Sequence, residues 1–286
     1  IRVNFKFWDK GLLKEVFGFS IWATVSTIAN RFIFNITPSI LGAVSGSSQI
    51  GLFGIASTLE GYAYIISGAV NGMFLPRVSK ILAGKKDGKH VLPLMTKVGR
   101  IQYSIIGLIF VGFAIVGKEF IYLWMGEEFE LAYYCALIMM LPGVFRVPQQ
   151  IATTTIIAMN KVKIQAYVYV IIAALNILFS SVLSNFFGAL GAAISICIVY
   201  IIRLIIMNVI YYKVLQINIF SFIKDCYINM APPMLITLVV GIIINQFTIY
   251  SLPTFLIKGT FIVILYIILL WNMSLNHYEK SFFKRV

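Results

Sequence analysis

Arg31, Glu60, Arg146 and Arg203 stand near the middle of long apolar runs, and they are the residues of this chain best placed to do chemistry. An ionised side chain facing hydrocarbon costs at least ~2.5 kcal/mol, so each of them must face protein or a wet cavity. Amides accompany them: Asn30 and Asn35 beside Arg31, Gln149 and Gln150 after Arg146, and Asn208 beyond Arg203. A guanidinium stays charged and grips phosphate or carboxylate oxygens with a planar fork, so three of them within a membrane point to an anion. Arg31 and Glu60 each lie about eleven residues from the outer end of adjacent runs, which at ~1.5 Å per residue puts them at one depth. Glu60 is therefore the expected counter-ion of Arg31, and the pair can either fix helix register or belong to a cavity. Arg146 and Arg203 have no acidic residue at comparable depth. That leaves an excess of about two positive charges, which an aqueous cavity or an anionic ligand would compensate.

No catalytic constellation competes with this reading. His90 and His277 are not spaced with Cys, Asp or Glu as metal ligands or as a nucleophile's base would be. Cys135, Cys197 and Cys226 sit in or beside apolar runs without paired spacing, so neither a disulfide framework nor a zinc site is expected. No G-x-x-x-x-G-K-[ST] loop is present, and "AGKKDGKH" reads as a basic cytoplasmic turn rather than a phosphate cradle. The expectation is a non-enzyme with no cofactor and no metal.

The elements that must position these residues follow from composition. Of 286 residues 60% are hydrophobic and only 12% charged, with a mean hydropathy of +0.93, more apolar than a water-soluble surface allows. The net charge of +13 lies between apolar runs, where it orients a protein against anionic membrane lipid, and not on a nucleic-acid face. A helix needs ~20 apolar residues to cross the hydrocarbon core. Eight runs qualify, near 16–41, 49–75, 93–117, 131–158, 164–184, 188–212, 226–248 and 253–274. The fold class is thus an all-α polytopic bundle. The first fifteen residues, "IRVNFKFWDKGLLKE", are too charged for a signal-peptide core and read as a cut or a loop.

Alternate connections differ sharply in charge. Arg2, Lys6, Lys10, Lys14, Arg77, Lys80, Lys85, Lys86, Lys89, Lys161, Lys163, Lys213, Lys224, Lys280, Lys284 and Arg285 fall in one set, 1–15, 76–92, 159–163, 213–225 and 275–286. The other set holds Lys118 alone, beside Glu119, Glu127, Glu128 and Glu130. Positive loops stay inside, so both ends of the chain are expected in the cytoplasm, with Tyr122, Trp124, Tyr133 and Tyr134 at the outer interface.

The stretch "RFIFNITPSILGAVSGSSQIGLFGIASTLEGYAYIISGAVNGMFLPRVSKI", followed by "FIYLWMGEEFELAYY", resembles the polysaccharide flippases of the multidrug, oligosaccharidyl-lipid and polysaccharide exporter superfamily. The first stretch is similar to their seventh and eighth helices. The resemblance implies a MATE-like second lobe over 16–214, a cytoplasmic lead-in at 1–15, and two additional helices and a tail over 215–286. It implies undecaprenyl-diphosphate-linked oligosaccharide as substrate, alternating access against a missing N-terminal lobe, and a bacterial cytoplasmic membrane location. Arg31, Arg146 and Arg203 would then line a cationic cavity for the diphosphate, with Glu60, Asn30, Asn35 and Gln149 as counter-ion and polar lining. Relatives usually carry an acid where this chain has Asn30, so Arg31 is expected to lean on Glu60. Because the family has twelve to fourteen helices, the chain is expected to be the C-terminal portion of a longer protein. The rival reading is a cation-coupled multidrug exporter of the same fold, which needs acidic residues in its cavity; a third is a non-transporting membrane fragment.

Cysteines placed at Ser47 and Glu128 should react with an impermeant thiol reagent from outside, and one at Lys86 only after the membrane is opened. External labelling at Lys86 would reverse the orientation.

Overall fold

A computed structural model describes residues 10–69, 71–85, 87–246, 251–276 and 279–280. Residues 1–9 of the lead-in, with Arg2 and Lys6, and also Lys86, His277, Lys284 and Arg285 lie outside the described residues. Among the described residues the chain is helical and contains no strand: α1 (Lys10–Ser45), α2 (Ser47–Gly68), a short α3 (Leu75–Leu82), α4 (Leu92–Met125), α5 (Glu130–Arg146), α6 (Gln150–Ala158), α7 (Val162–Lys213), α8 (Ile219–Phe222), α9 (Ala231–Asn245) and α10 (Leu252–Leu269). A π-helical turn, Ile223–Ile228, joins α8 to α9, and another, Leu270–Ser274, follows α10.

Seven helical stretches among the described residues are long and apolar enough to cross a membrane. The 52-residue α7 is really two antiparallel arms, because Gly188 breaks it at φ 56 and ψ −133. Ser180 and Ser195, on opposite arms, meet at 3.1 Å. The fold-back supplies the eighth expected span. Only glycine adopts a positive φ of this kind without strain. A second positive-φ glycine, Gly46, turns α1 into α2, and the two turns lock together. Ser45 donates to the Ser184 carbonyl at 2.7 Å, and the Gln49 side-chain oxygen accepts from the Ala189 N–H at 2.9 Å.

Two of the runs are interrupted as helices. The run at 49–75 stops at Gly68, because "LPRVSKIL" forms the separate α3, with Pro76 in its first turn and an alternation of buried Val78 and Leu82 with Arg77 and Lys80. The run at 131–158 is broken where Pro148, which has no N–H to give, interrupts the ladder between α5 and α6.

The packing order positions the site. α1 lies along both arms of α7, α2 lies on α5, and α5 in turn packs on α7 and α4. α9 and α10 dock on α4 from the far side. Two buried arginine and lysine clusters hold them there. Arg100 of α4, 4% exposed, donates to both Glu279 carboxylate oxygens at 2.6 and 2.9 Å and to the carbonyls of Asp225 and Ser274. Near the opposite end of α4, Glu119 forms a buried ion pair with Lys258 of α10 and accepts from Thr254 Oγ1 at 2.9 Å. Sequence reading placed Glu119 in an outer loop and left Lys258 uncounted; α4 runs on to Met125, and that extra length carries Glu119 into the helix pair.

Gly188→Ala should destabilise the bundle by ~1–3 kcal/mol, because the backbone needs a positive φ and the added methyl would meet the Gln49 side-chain oxygen at 2.6 Å. The melting temperature of purified protein in detergent reads this. An unchanged value would mean that the turn is not strained.

Candidate functional site

The three intramembrane arginines come from three different helices and converge on one cavity of about 240 Å³. Its lining includes Ser26, Asn30 and Arg31 from α1, Tyr64 from α2, Arg146, Gln149, Gln150 and Thr153 from the α5–α6 break, and Gln165, Tyr169, Tyr200 and Arg203 from the two arms of α7. Among the described residues no acidic one lines it.

The break between α5 and α6 explains why the polar side chains gather here. Ending α5 at mid-membrane exposes carbonyls that the ladder no longer pairs, and irregular backbone at that depth survives only beside protein or a cavity. Tyr227 answers part of this by donating to the Phe145 carbonyl at 2.6 Å. Arg146, the last residue of α5, sits where the helix dipole favours a cation.

Glu60 pairs with Arg146 at 3.5 Å, not with Arg31. Equal depth was the right observation, but depth does not fix which way a residue faces. In α2 the buried residues Leu52, Phe53, Ala56, Glu60, Ala63 and Ser67 form one stripe. That stripe faces α5, so Glu60 is carried to Arg146. The guanidinium of Arg146 also lies over the rings of Tyr64 and Tyr200, at 4.4 and 4.9 Å from their centroids.

Arg203 has no carboxylate near it among the described residues. It donates to Asn30 Oδ1 at 2.7 Å and to the Tyr169 hydroxyl, and it stacks on the Tyr169 ring at 3.8 Å. Asn30 thus serves Arg203 rather than Arg31. Asn208, suggested by sequence as the neighbour of Arg203, is not in the lining. Arg31 lines the cavity with an exposed side chain, and it forms no ion pair among the described residues. Asn35, farther along α1, is exposed and does not line the cavity. Gln149 lines it and is buried, and Gln150 donates to the Tyr64 hydroxyl at 2.5 Å.

Sequence reasoning missed the tyrosines. Tyr64, Tyr169, Tyr200 and Tyr211 all line the cavity, and their signal was available: aromatic residues that also carry a hydroxyl, placed within spans at the level of the arginines rather than at the interface.

Residues 1–133 match the family model described as polysaccharide biosynthesis protein. Over 193 residues, 68% of this chain and 41% of the other, the chain is 21% identical to a probable low-salt glycan biosynthesis flippase, Agl15, of Haloferax volcanii. Over 210 residues, 71% of this chain and 48% of the other, it is 26% identical to a putative O-antigen transporter of Shigella flexneri. It thus spans less than half the length of these relatives. Among solved structures, lipid II flippase MurJ in an inward closed conformation superposes with a TM-score of 0.68 at 17% identity, over 87% of this chain and 51% of that one. The superposition shows the fold to be a polytopic helical bundle like that of MurJ, and the family model and both relatives lie on the side of the resemblance read from the motifs.

Glu60→Gln and Arg146→Gln should each lower the melting temperature, and the double variant should recover part of the loss, with a coupling of ~0.5–3 kcal/mol. Combining Glu60→Gln with Arg31→Gln should be additive within ~0.5 kcal/mol. The reverse pattern would restore the Arg31 pairing.

Proposed function

We propose that this chain, a relative of the polysaccharide flippases by sequence and fold, forms one lobe of a protein that moves a lipid-linked oligosaccharide across a bacterial cytoplasmic membrane. The single observation that carries this reading is the cavity charge. Three guanidiniums against the one carboxylate of Glu60 leave an excess of two positive charges inside the bundle. An excess cation in hydrocarbon is costly unless water or an anion answers it, and a diphosphate supplies the anion together with oxygens that suit guanidinium forks. An undecaprenyl-diphosphate-linked glycan is the substrate class that fits. At about 240 Å³ the cavity is below the ~300–1,000 Å³ of ordinary ligand pockets, so this lobe holds the diphosphate head and leaves the glycan and the acyl chain elsewhere.

A cation exporter would need the opposite sign of lining. Among the described residues the one carboxylate paired with a lining residue, Glu60, is committed to Arg146. Transport by alternating access requires a second lobe, which the greater length of the relatives would provide. Both ends of the chain belong in the cytoplasm on this reading, which the basic loops on one side and the acidic or uncharged ones on the other support.

In the complete protein, Arg203→Ala and Arg31→Ala should each cut glycan export roughly tenfold or more, the loss expected for charged hydrogen bonds. Lysine should rescue only partly, keeping the charge but not the fork. The measurement is surface glycan in a strain lacking its own flippase, divided by the amount of variant in the membrane. Wild-type export from both alanine variants would overturn the cationic-cavity reading.

A further inference from the structure

Tyr200 projects from the second arm of α7 between the two inner arginines. Its ring lies 4.9 Å from the Arg146 guanidinium carbon and 5.6 Å from that of Arg203. It lines the cavity and is only 2% exposed, yet its hydroxyl finds no hydrogen-bond partner among the described residues. A buried hydroxyl without a partner costs free energy, and a fold gains nothing by keeping one. Phenylalanine would fill the same space and stack equally well on both cations.

Tyr169 differs. Its oxygen accepts from Arg203, and the Gln165 amide lies 2.9 Å away with an Oε1 that is otherwise buried without a partner among the described residues. Turned about, that amide accepts the Tyr169 hydrogen, so Tyr169 is satisfied within the fold and Tyr200 is the hydroxyl left unanswered between the arginines.

Resting on the flippase reading above, we propose that Tyr200 is a phosphate-binding residue whose hydroxyl donates to the diphosphate held between Arg31, Arg146 and Arg203. The Tyr200 ring holds the guanidiniums of Arg146 and Arg203 by their faces, and its hydroxyl extends the donor set at their edges. The shared chemistry is a phosphate-ester or diphosphate anion, which could arrive on a prenyl carrier, as free pyrophosphate or on a phospholipid.

The test uses Tyr200→Phe in the complete protein, because a structural role and a ligand role predict opposite balances. The expected result is a melting temperature equal to or above wild type, together with glycan export per membrane protein lowered roughly tenfold. Wild-type export from Tyr200→Phe, or a loss of export matched by a loss of thermal stability, overturns the assignment. If Tyr200→Phe is silent while Arg203→Ala still fails, the flippase reading survives without this one; if both are silent, the cationic cavity itself is wrong. Thermal shifts of purified protein then separate the sources. A Tyr200-dependent shift with farnesyl diphosphate supports the lipid-carrier head group, and one with inorganic pyrophosphate as well supports recognition of the diphosphate alone. A Tyr200-dependent shift with phosphatidylglycerol only makes the cavity a phospholipid site and overturns the proposal.

Discussion

A charge inside hydrocarbon has to be answered by something, and much of this structure is a set of different answers to that one demand. Arg100 is answered by a carboxylate and two carbonyls, and its four hydrogen bonds draw the π-turn before α9 and the residues after α10 to one point on α4. Lys258 is answered by Glu119 and by Asn245 Oδ1. These two clusters, one near each end of α4, fix the last two helices against the rest of the bundle. Breaking either by removing one partner would strand a buried ion, so the docking of α9 and α10 is specified by charge as well as by apolar contact.

At the cavity the answer is different in kind. Among the described residues Arg146 has one carboxylate, Arg203 has none, and aromatic faces take up the deficit. The elements that make this possible are departures from regular helix: the Pro148 break that ends α5 beside the cavity, and the Gly188 fold-back that returns the second arm of α7 along the first. Without the fold-back, Tyr169 and Arg203, on opposite arms, could not touch. The break in turn brings Gln149, Gln150 and Thr153 to the same wall as Arg146.

Much of this was legible in the sequence, and the limits have physical causes. Apolar run length located the spans, since membrane thickness sets that length, and the cost of intramembrane charge singled out the arginines that later converge. Pairing was not legible from depth alone. Glu60 and Arg31 share a level, but a helix residue has an azimuth as well as a height, and the buried stripe of α2 turns Glu60 toward α5. The stripe's spacing is in the sequence, so that error was avoidable. Asn30 is a different case: nothing local says that its oxygen serves Arg203, because the contact depends on how α1 lies against an arm of α7 far along the chain. The tyrosines were hidden because hydropathy scales treat them as weakly apolar filler, and their hydroxyls acquire meaning only once the arginines are seen beside them.

How the arginines are stabilised also decides what they remain able to do. A carboxylate paired with a guanidinium occupies its edge, where all five N–H groups lie, and an incoming anion would have to displace it. An aromatic ring meets the guanidinium on its face and leaves that edge available. Among the described residues Arg203 spends two donors on Asn30 and Tyr169 and keeps the rest, while the Nε of Arg146 is buried without a partner. Cation–π contact therefore holds these charges in the membrane without using up the groups that would bind a phosphate. A lobe built only for stability would have placed a second acid beside Arg203, since burying a cation against a full counter-charge costs less than burying it against a ring. Among the described residues no acid lines the cavity, although the same bundle supplies acids to Arg100 and Lys258, so the buried positive excess is concentrated where an anion could answer it.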